Sequence, residues 1–284
     1  MSRRTFRIPL PSGLVLTLGE RTLVMAIVNV TPDSFSDGGE RFQPDRAIAD
    51  AMQMVEDGAD ILDIGGESTR PGAAPLPAED EWARVGPVLE GLRGRVTVPI
   101  SIDTYKAEIA ERAIALGASI VNDVTAFAAD AQMAAVVARH GVAAVLMHHR
   151  GRSEAMYHRA VYRDVVQEVR DELAARLAVA EAAGVSRERL IIDPGLGFAK
   201  RAAQSMEALV GMPALAALGV PILSGPSRKS FLQSALGPRD PADRVWGTAA
   251  AVAASIWLGA HIVRVHDVKP MVDVVRITDA LVRV

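Results

Sequence analysis

Gly58-Ala59-Asp60-Ile61 is the first of five similar stretches in which a glycine closes an amphipathic helix and a β-branched run follows almost at once. The pattern recurs at Gly117-Ala118-Ser119-Ile120, Gly141-Val142, Gly219-Val220-Pro221-Ile222 and Gly259-Ala260-His261-Ile262. Glycine is favoured just past a helix end because it adopts the left-handed conformation at little cost, and the apolar run that follows predicts a strand. The sequence therefore predicts a repeated helix-to-strand unit.

Eight strands are predicted by this reading. They cover residues 24–31, 60–66, 98–104, 119–125, 143–148, 190–194, 221–225 and 261–266. Most are continuously apolar, as expected for parallel strands that are covered on both faces, and helical patterns lie between them, the longest at about residues 161–183. Eight such units fit either a closed (β/α)8 TIM barrel or an open doubly wound sheet. The unit count, and the lack of G-x-G-x-x-G after the first strand, favour the α/β barrel.

The amino-terminal residues predict a different element. Residues 5–18 contain Pro-Ser-Gly at their middle and indicate a β-hairpin that precedes the first barrel strand and plugs the amino-terminal end of the barrel. No low-complexity segment or linker interrupts the chain. We therefore expect one domain over residues 1–284, with residues 1–20 as an N-terminal hairpin extension.

Composition excludes several classes of protein. Half of the 284 residues are apolar and none is cysteine, so disulfides, thiolate catalysis and cysteine-ligated metals are excluded and a reducing cytoplasm is expected. A net charge of −3 gives no general attraction to nucleic acid or to anionic membranes. Residues 1–8 lack the apolar run of a signal peptide, and the apolar residues 245–260 are too few to span a bilayer. The latter predict a helix whose Trp246 and Trp257 face either the core or a subunit interface.

Polar residues follow or end every predicted strand. They are Asn29, Asp63, Asp103, Asn122, His148, Asp193, Ser227 with Lys229, and Arg264 with His266. Turn chemistry alone explains single Asp or Asn residues at such places, but not one at each of eight strands. In a TIM barrel the active site is built from the carboxyl ends of the strands and the loops that follow. These residues therefore predict an active site at that end of the barrel.

The two longest polar segments lie after the first and second strands. They read Asn29-Val30-Thr31-Pro32-Asp33-Ser34-Phe35-Ser36-Asp37-Gly38-Gly39 and Gly65-Gly66-Glu67-Ser68-Thr69-Arg70-Pro71-Gly72. Together with Asp193-Pro194-Gly195-Leu196-Gly197-Phe198-Ala199-Lys200, Ser227-Arg228-Lys229-Ser230 and Arg264-Val265-His266-Asp267, they resemble the signature motifs of the dihydropteroate synthase family. The resemblance extends over the chain from Val24 onward.

This resemblance implies the condensation of 6-hydroxymethyl-7,8-dihydropterin diphosphate with p-aminobenzoate, which gives 7,8-dihydropteroate and pyrophosphate. The implied pterin contacts are Asp103, Asn122, Met147, Asp193, Phe198, Gly225 and Lys229. The carboxylates would accept from the ring NH and the exocyclic amine, and Lys229 would donate to a ring acceptor. The alternative is that Asp103 and Asp193 are structural caps or ion pairs.

The implied diphosphate contacts are Asn29, Arg264 and His266, with Asn29 also holding a Mg²⁺ ion. Arg264 and His266 are two residues apart on a strand, so they project to the same side. Lys200 would add to the positive field, and the alternative for His266 is a packing histidine near Asp267. Catalysis would rest on Asp103 and Lys229 together with Arg264 and His266, which stabilise developing charge.

The resemblance also implies ligands and a partner. The p-aminobenzoate pocket would consist of Phe35, Thr69, Arg70, Pro71 and Ser230. Sulfonamides would compete for that pocket, and the chain would form a homodimer.

Three other functions stay open on the sequence alone. A pterin-binding methyltransferase barrel would share the carboxylates but has no use for Arg264 and His266. A barrel lyase would use Lys229 as a Schiff base, and a non-catalytic binding barrel would dispense with the diphosphate residues. A metal site at His148, His149 and His158 is disfavoured, since no acidic ligands accompany them at zinc spacing.

Overall fold

Eight parallel strands close into a barrel in the computed structural model, which describes residues 3–31, 44–68, 73–151 and 156–283. The strands are β3 (Leu23–Asn29), β4 (Ile61–Gly65), β5 (Ile100–Asp103), β6 (Ile120–Asp123), β7 (Ala143–Met147), β8 (Leu190–Asp193), β9 (Leu223–Ser224) and β10 (Ile262–Val265). Their order is β8-β7-β6-β5-β4-β3-β10-β9, and a parallel bridge between Ile192 and Ile222 joins the two ends. The predicted TIM barrel is confirmed, and the open doubly wound sheet is excluded.

Helices alternate with these strands within the described residues. They are α1 (Pro44–Glu56), α2 (Ala78–Leu92), α3 (Ala107–Ala115), α4 (Met133–His140), α5 (Val165–Ala182), α6 (Ala202–Val210), α7 (Gln233–Leu236), α8 (Val245–Trp257) and α9 (Val268–Val282). Short 3₁₀ turns lie at Met156–Arg159, Arg187–Arg189, Met212–Leu218, Ser230–Leu232 and Pro241–Arg244. No helix in these described ranges is long and apolar enough to cross a membrane.

The five glycines that follow the predicted helices adopt the backbone conformation expected of them. Gly58, Gly117, Gly141, Gly219 and Gly259 all have positive φ, between 60° and 107°. A left-handed residue ends a helix and turns the chain toward the next strand, and only glycine does so without a steric penalty from Cβ. The helix-to-strand unit is thus specified by residues that are close together in the sequence.

The amino-terminal hairpin forms and covers one end of the barrel. Strand β1 (Phe6–Pro9) pairs antiparallel with β2 (Val15–Leu18), and Phe6 lies opposite Leu18. Buried side chains of the hairpin share one apolar cluster with inward-facing barrel residues such as Met25 and Ile191. Because the hairpin removes this apolar layer from water, the predicted plug is confirmed.

Two helices differ in detail from expectation. The longest begins at Val165 rather than near residue 161, because the side chain of Asp164 accepts from the backbone N–H of Gln167 and caps it there. Helix α8 buries one face, including Val252 and Ile256, as a core helix should. Its Trp246 and Trp257 are 81% and 59% exposed, so neither faces the core.

Candidate active site

The inner surface of the barrel changes from apolar to polar along four of its strands. Side chains two residues apart on a strand point the same way. In β4, β6, β8 and β10 an isoleucine in the apolar cluster under the hairpin is followed two residues later by a polar residue. These pairs are Ile61 and Asp63, Ile120 and Asn122, Ile191 and Asp193, and Ile262 and Arg264. The strand direction therefore places the polar residues together at the carboxyl end, above a closed apolar floor.

Arg264 lies at the centre of this polar layer. Its Nε donates to Oδ2 of Asp63 at 2.6 Å, and its Nη2 donates to Oδ2 of Asp103 at 2.5 Å. Nδ2 of Asn122 also donates to Oδ2 of Asp63, at 3.0 Å. Four strands thus contribute to one buried network, which joins a residue predicted to bind diphosphate with two predicted to bind pterin.

Asp63 is a site residue that the sequence reasoning did not assign to a ligand. It is fully buried, and its Oδ1 has no hydrogen-bond partner among the residues that the structure describes. The signal was its position at the end of β4, two residues after Ile61. What was missing was its partner, since Arg264 is 201 positions away in sequence.

Burial and the neighbouring charges shift the pKa values of this network in opposite directions. Burial raises the pKa of Asp103 from its ordinary value of 3.8 to about 7, even though Arg264 acts to lower it. Burial also opposes the charge on Arg264, but the attraction of Asp63 and Asp103 outweighs it, so the pKa of Arg264 is raised. Arg264 therefore stays charged, while the charge on Asp103 depends on its surroundings.

Asp193 presents one carboxylate oxygen to the inside of the barrel. Its Oδ1 accepts from the backbone N–H of Gly195 at 2.7 Å. A Cβ added to Gly225 would lie 3.8 Å from Oδ2 of Asp193, so this glycine keeps space open beside that oxygen. Burial raises the pKa of Asp193, against the effect of the Gly195 N–H. Oδ1 is thus held by the loop backbone, and Oδ2 lies on the side of Gly225.

Side chains from the end of β7 and from the loop after β8 form an apolar and aromatic wall. Met147 and Phe198 belong to one buried cluster with Val124 and Ala199, against which Tyr105 packs. Nζ of Lys229 lies 3.8 Å from the centre of the Phe198 ring, a cation–π distance. The structure thus brings together Met147, Phe198 and Lys229, which the resemblance placed around a flat ring.

His266 has a serine as its partner. Its Nδ1 lies 3.0 Å from Oγ of Ser227, which also accepts from the His266 backbone N–H at 3.1 Å. Asp267 instead pairs with Arg228 at 2.5 Å. The Ser227 hydroxyl therefore orients the imidazole, whereas Arg264, two residues earlier, bonds to carboxylates.

The remaining predicted site residues fall into two groups. Asn29 is half-buried at the end of β3 beside Gly65 of β4, and Ser230 is exposed at the start of a 3₁₀ turn. Phe35, Thr69, Arg70 and Pro71 lie outside the described residues.

Just before residue 69, the structure describes an ionic anchor that the sequence reasoning missed. Nζ of Lys106 donates to both Glu67 and Glu81, and the hydroxyl of Tyr105 donates to Glu67 at 2.6 Å. This anchor fixes the chain that follows β4 against the start of α3.

Lys200 does not add to an anion site as the sequence suggested. Its side chain is only 1% exposed, and its Nζ lies 2.8 Å from Nδ1 of His148. Nε2 of His148 in turn lies 3.0 Å from Oε2 of Glu172 on α5. Across the described ranges, no group of three or more His, Asp or Glu side chains could hold a metal ion. His148 instead belongs to a buried chain of hydrogen bonds.

Comparisons with known proteins agree with this geometry. The family model described as "Pterin binding enzyme" matches residues 25–266. Dihydropteroate synthase of Synechocystis is 46% identical over 276 residues, which are 97% of this chain and 96% of that protein.

Solved structures point the same way. Dihydropteroate synthase of Xanthomonas albilineans with 4-aminobenzoic acid superposes with a TM-score of 0.92 at 43% identity, over 99% of this chain and 100% of that one. The Yersinia pestis enzyme in a sulfonamide drug complex gives a TM-score of 0.92 at 37% identity, over 98% and 100% of the two chains. On the match of fold and of nearly full-length sequence, the chain belongs to the dihydropteroate synthase family of pterin-binding transferases.

Proposed function

We propose that the polar end of this barrel condenses 6-hydroxymethyl-7,8-dihydropterin diphosphate with p-aminobenzoate to give 7,8-dihydropteroate and pyrophosphate. The observation that carries the proposal is the buried cluster above the apolar floor. In it Asp193 offers Oδ2 beside Gly225, and Asp103, Asn122 and Arg264 share a hydrogen-bond network. A flat heterocycle with donors at one edge and acceptors at the other fits such a site.

The pterin ring would lie between the carboxylates and the apolar wall. Asp193 would accept from the exocyclic amine and the adjacent ring NH, with Asn122 and Asp103 at the other polar positions. Lys229 would donate to the ring carbonyl or a ring nitrogen. Met147 and Phe198, which already share a buried cluster, would contact the ring faces. Gly225 would leave the room that the ring edge needs.

The diphosphate would be bound by Arg264 and His266. A guanidinium has five N–H donors, and the two bonds to Asp63 and Asp103 use Nε and Nη2 only. Arg264 could therefore hold the carboxylates while Nη1 donates to a phosphate oxygen. His266, oriented by Ser227, would supply a further donor to the leaving group.

Asn29 is our candidate ligand for Mg²⁺. Magnesium is commonly held by one or two protein oxygens together with phosphate oxygens, and a half-buried carboxamide at a strand end fits that donor chemistry. When bound, the ion would neutralise charge on the diphosphate.

The chemistry needs positioning and charge stabilisation rather than a strong base. The bond between the pterin methylene carbon and the diphosphate oxygen breaks, and its electron pair leaves with pyrophosphate. The resulting pterin cation is resonance-stabilised, and the neutral amine of p-aminobenzoate attacks it to form the new C–N bond. The amine then releases a proton to solvent. Arg264 and His266 would stabilise the leaving group, while Asp103 and Lys229 would hold the ring as its charge changes.

The amine would enter beside Ser230. This exposed residue directly follows Lys229, so it adjoins the pterin site. We propose Phe35, Thr69, Arg70 and Pro71 as the rest of this pocket, with sulfonamides as competitors for it. A sulfonamide complex of the Yersinia pestis relative supports that choice of competitor.

We also propose a homodimer that forms through helix α8. This helix carries no charged residue, and its exposed Trp246 and Trp257 lie on one side with Ala250 between them. On neighbouring α9, Ile277 and Leu281 are exposed as well. The exposed apolar side of α8 indicates a contact site, and a symmetric contact with a second copy would bury it. Light scattering should find a dimer that Trp257→Glu dissociates and that Leu14→Glu, in the loop of the amino-terminal hairpin, leaves intact.

Two further proposals concern the chain as a whole. We propose that residues 1–284 work as one domain, since hairpin and barrel share a buried cluster. We place the reaction in the cytoplasm, a compartment that suits a chain without cysteine.

The proposed reaction is tested by mixing the protein with dihydropterin diphosphate, Mg²⁺ and p-aminobenzoate, and measuring pyrophosphate and dihydropteroate. A lack of p-aminobenzoate-dependent formation of dihydropteroate and pyrophosphate would refute the proposal. Arg264→Lys should weaken the binding of the diphosphate substrate more than the binding of the corresponding pterin alcohol, because lysine keeps the charge but loses the forked geometry of the guanidinium. Borohydride trapping of Lys229 with a carbonyl substrate would indicate Schiff-base chemistry instead.

A further inference from the structure

The loop after β8 has an unusual backbone. Gly195 and Gly197 have φ of 66° and 80°, and Ala199, which has a Cβ, has φ of 46°. A Cβ at Gly195 would lie 2.0 Å from the carbonyl oxygen of His148, so the loop is also pressed against the end of β7. Left-handed residues other than glycine are costly and persist where the surroundings hold them. Something must therefore hold this loop in its shape.

Lys200 supplies the restraint from inside the loop. Its Nζ donates to the carbonyl oxygens of Gly195 at 3.1 Å and Phe198 at 3.2 Å, and to Nδ1 of His148 at 2.8 Å. An ammonium group has three protons, so the three contacts account for all of them. Burial lowers the pKa of Lys200 to about 7, because an ammonium is costly away from water, and the three contacts satisfy the donors of its charged form. One side chain thus binds two carbonyls of its own loop to the neighbouring strand end.

The histidine at the other end of this contact is itself fixed. Because the carboxylate of Glu172 can only accept, Nε2 of His148 carries the proton, and Nδ1 of the neutral ring is left to accept from Lys200. Nε2 lies 3.0 Å from Oε2 of Glu172, whose carboxylate also accepts from Arg150. Burial and the charge of Lys200 lower the pKa of His148 to about 4, which keeps the ring neutral and able to accept. The chain of bonds ties the loop to helix α5.

The loop carries groups on which the proposed pterin site depends. The Gly195 N–H anchors Asp193, and the Phe198 ring lies under Lys229. We propose that Lys200 is a positioning residue, which together with His148 holds this loop in the shape that receives the pterin ring. The inference rests on the proposed function, and it assigns to Lys200 no contact with substrate.

Lys200→Met tests this role because methionine keeps much of the side-chain length but cannot donate. If the loop then adopts its present shape about a tenth of the time, the KM for dihydropterin diphosphate should rise about tenfold. The kcat at saturating pterin should change less than twofold, since no reacting group is removed. Arg201→Met removes the exposed neighbouring cation and should leave KM unchanged.

Two substitutions of His148 separate positioning from simple stability. Asparagine places an acceptor near the position of Nδ1, so His148→Asn should keep the bond to Lys200 and a KM near that of the wild type. Glutamine reaches toward Glu172 instead, so His148→Gln should show the raised KM. These variants also test the proposal if Lys200→Met fails to fold.

Three results would overturn the inference: a wild-type KM in Lys200→Met, a tenfold lower kcat in that variant with no rise in KM, or the same KM in the two His148 variants. In each case a wild type that remains active leaves the proposed function standing. A wild type that neither binds dihydropterin diphosphate nor releases pyrophosphate would overturn the proposed function, and this inference with it.

Discussion

Replacing Asp193 with asparagine should destroy pterin binding without destabilising the fold. The side chain is buried, and its Oδ1 accepts from the Gly195 N–H at 2.7 Å, a bond that an asparagine oxygen retains. Oδ2 would become an NH₂ group that faces the donors of the pterin. Because folding disfavours the charged form of Asp193, as its raised pKa indicates, loss of the charge should not lower stability.

The size of the effect follows from the number of bonds lost. Two hydrogen bonds to a charged acceptor are worth about 1.5–3 kcal/mol each, so binding should weaken by roughly 3–6 kcal/mol. This corresponds to a loss of about two to four powers of ten in affinity. At neutral pH the free energy of unfolding should stay equal to or above that of the wild type.

Calorimetric titration with the pterin and urea denaturation measure the two quantities on the same samples. Asp130→Asn is the matched control, because Asp130 also accepts backbone N–H bonds, from Ala107 and Gln132, neither of which is assigned to the pterin. It should lose stability and keep pterin affinity. Pterin affinity of Asp193→Asn within about tenfold of the wild type would refute the assigned role, since tenfold equals only 1.4 kcal/mol.

Three other predictions follow from the same geometry. Gly195→Ala should lower the free energy of unfolding by about 3 kcal/mol or prevent folding, because its Cβ would lie 2.0 Å from the His148 carbonyl oxygen. Gly13→Ala is the control: open space surrounds Gly13, so the substitution should cost only about 1 kcal/mol, for its positive φ. Similar losses of stability for the two variants in denaturant titrations would contradict this prediction. Folding raises the pKa of Asp103 from 3.8 to about 7, so its contribution to stability is full below pH 4 and lost as pH rises through 7. Asp103→Asn should therefore flatten the pH dependence of the free energy of unfolding between pH 4 and 7, by up to about 1.4 kcal/mol per pH unit. Parallel curves of this free energy against pH for the wild type and the variant would contradict the prediction. Chelation of Mg²⁺ should stop pyrophosphate release but leave pterin binding unchanged. Asn29→Ala should raise the Mg²⁺ concentration needed for the half-maximal rate. If that concentration does not change, Asn29 is not the ligand.

Much of the site was predictable because the barrel converts sequence position into spatial position. Parallel strands end at the same edge, so Asn122 and Asp193, each at a strand end, had to lie near one another. The apolar residue two positions earlier on each strand fixed which side chains face inward. Position in a strand is a local property, and local patterns of apolar residues and glycines record it.

Partners were not predictable in the same way. Arg264 was expected to serve phosphate alone, yet its guanidinium bonds to Asp63 and Asp103, which lie 201 and 161 positions away. Lys200 was expected to add to the positive field at the diphosphate, yet it is buried against His148. Nothing near these residues in sequence specifies such contacts, since they form only when the barrel closes.

The sequence by itself determined the repeated unit, the closed barrel and the ring of polar strand ends, because glycines at helix ends and apolar runs act over a few residues. The tertiary structure alone decided which charges meet. Barrel closure places Arg264 between two carboxylates and encloses Lys200 beside a neutral histidine, and burial makes each of these pairings necessary, since a buried charge without partners is too costly to keep.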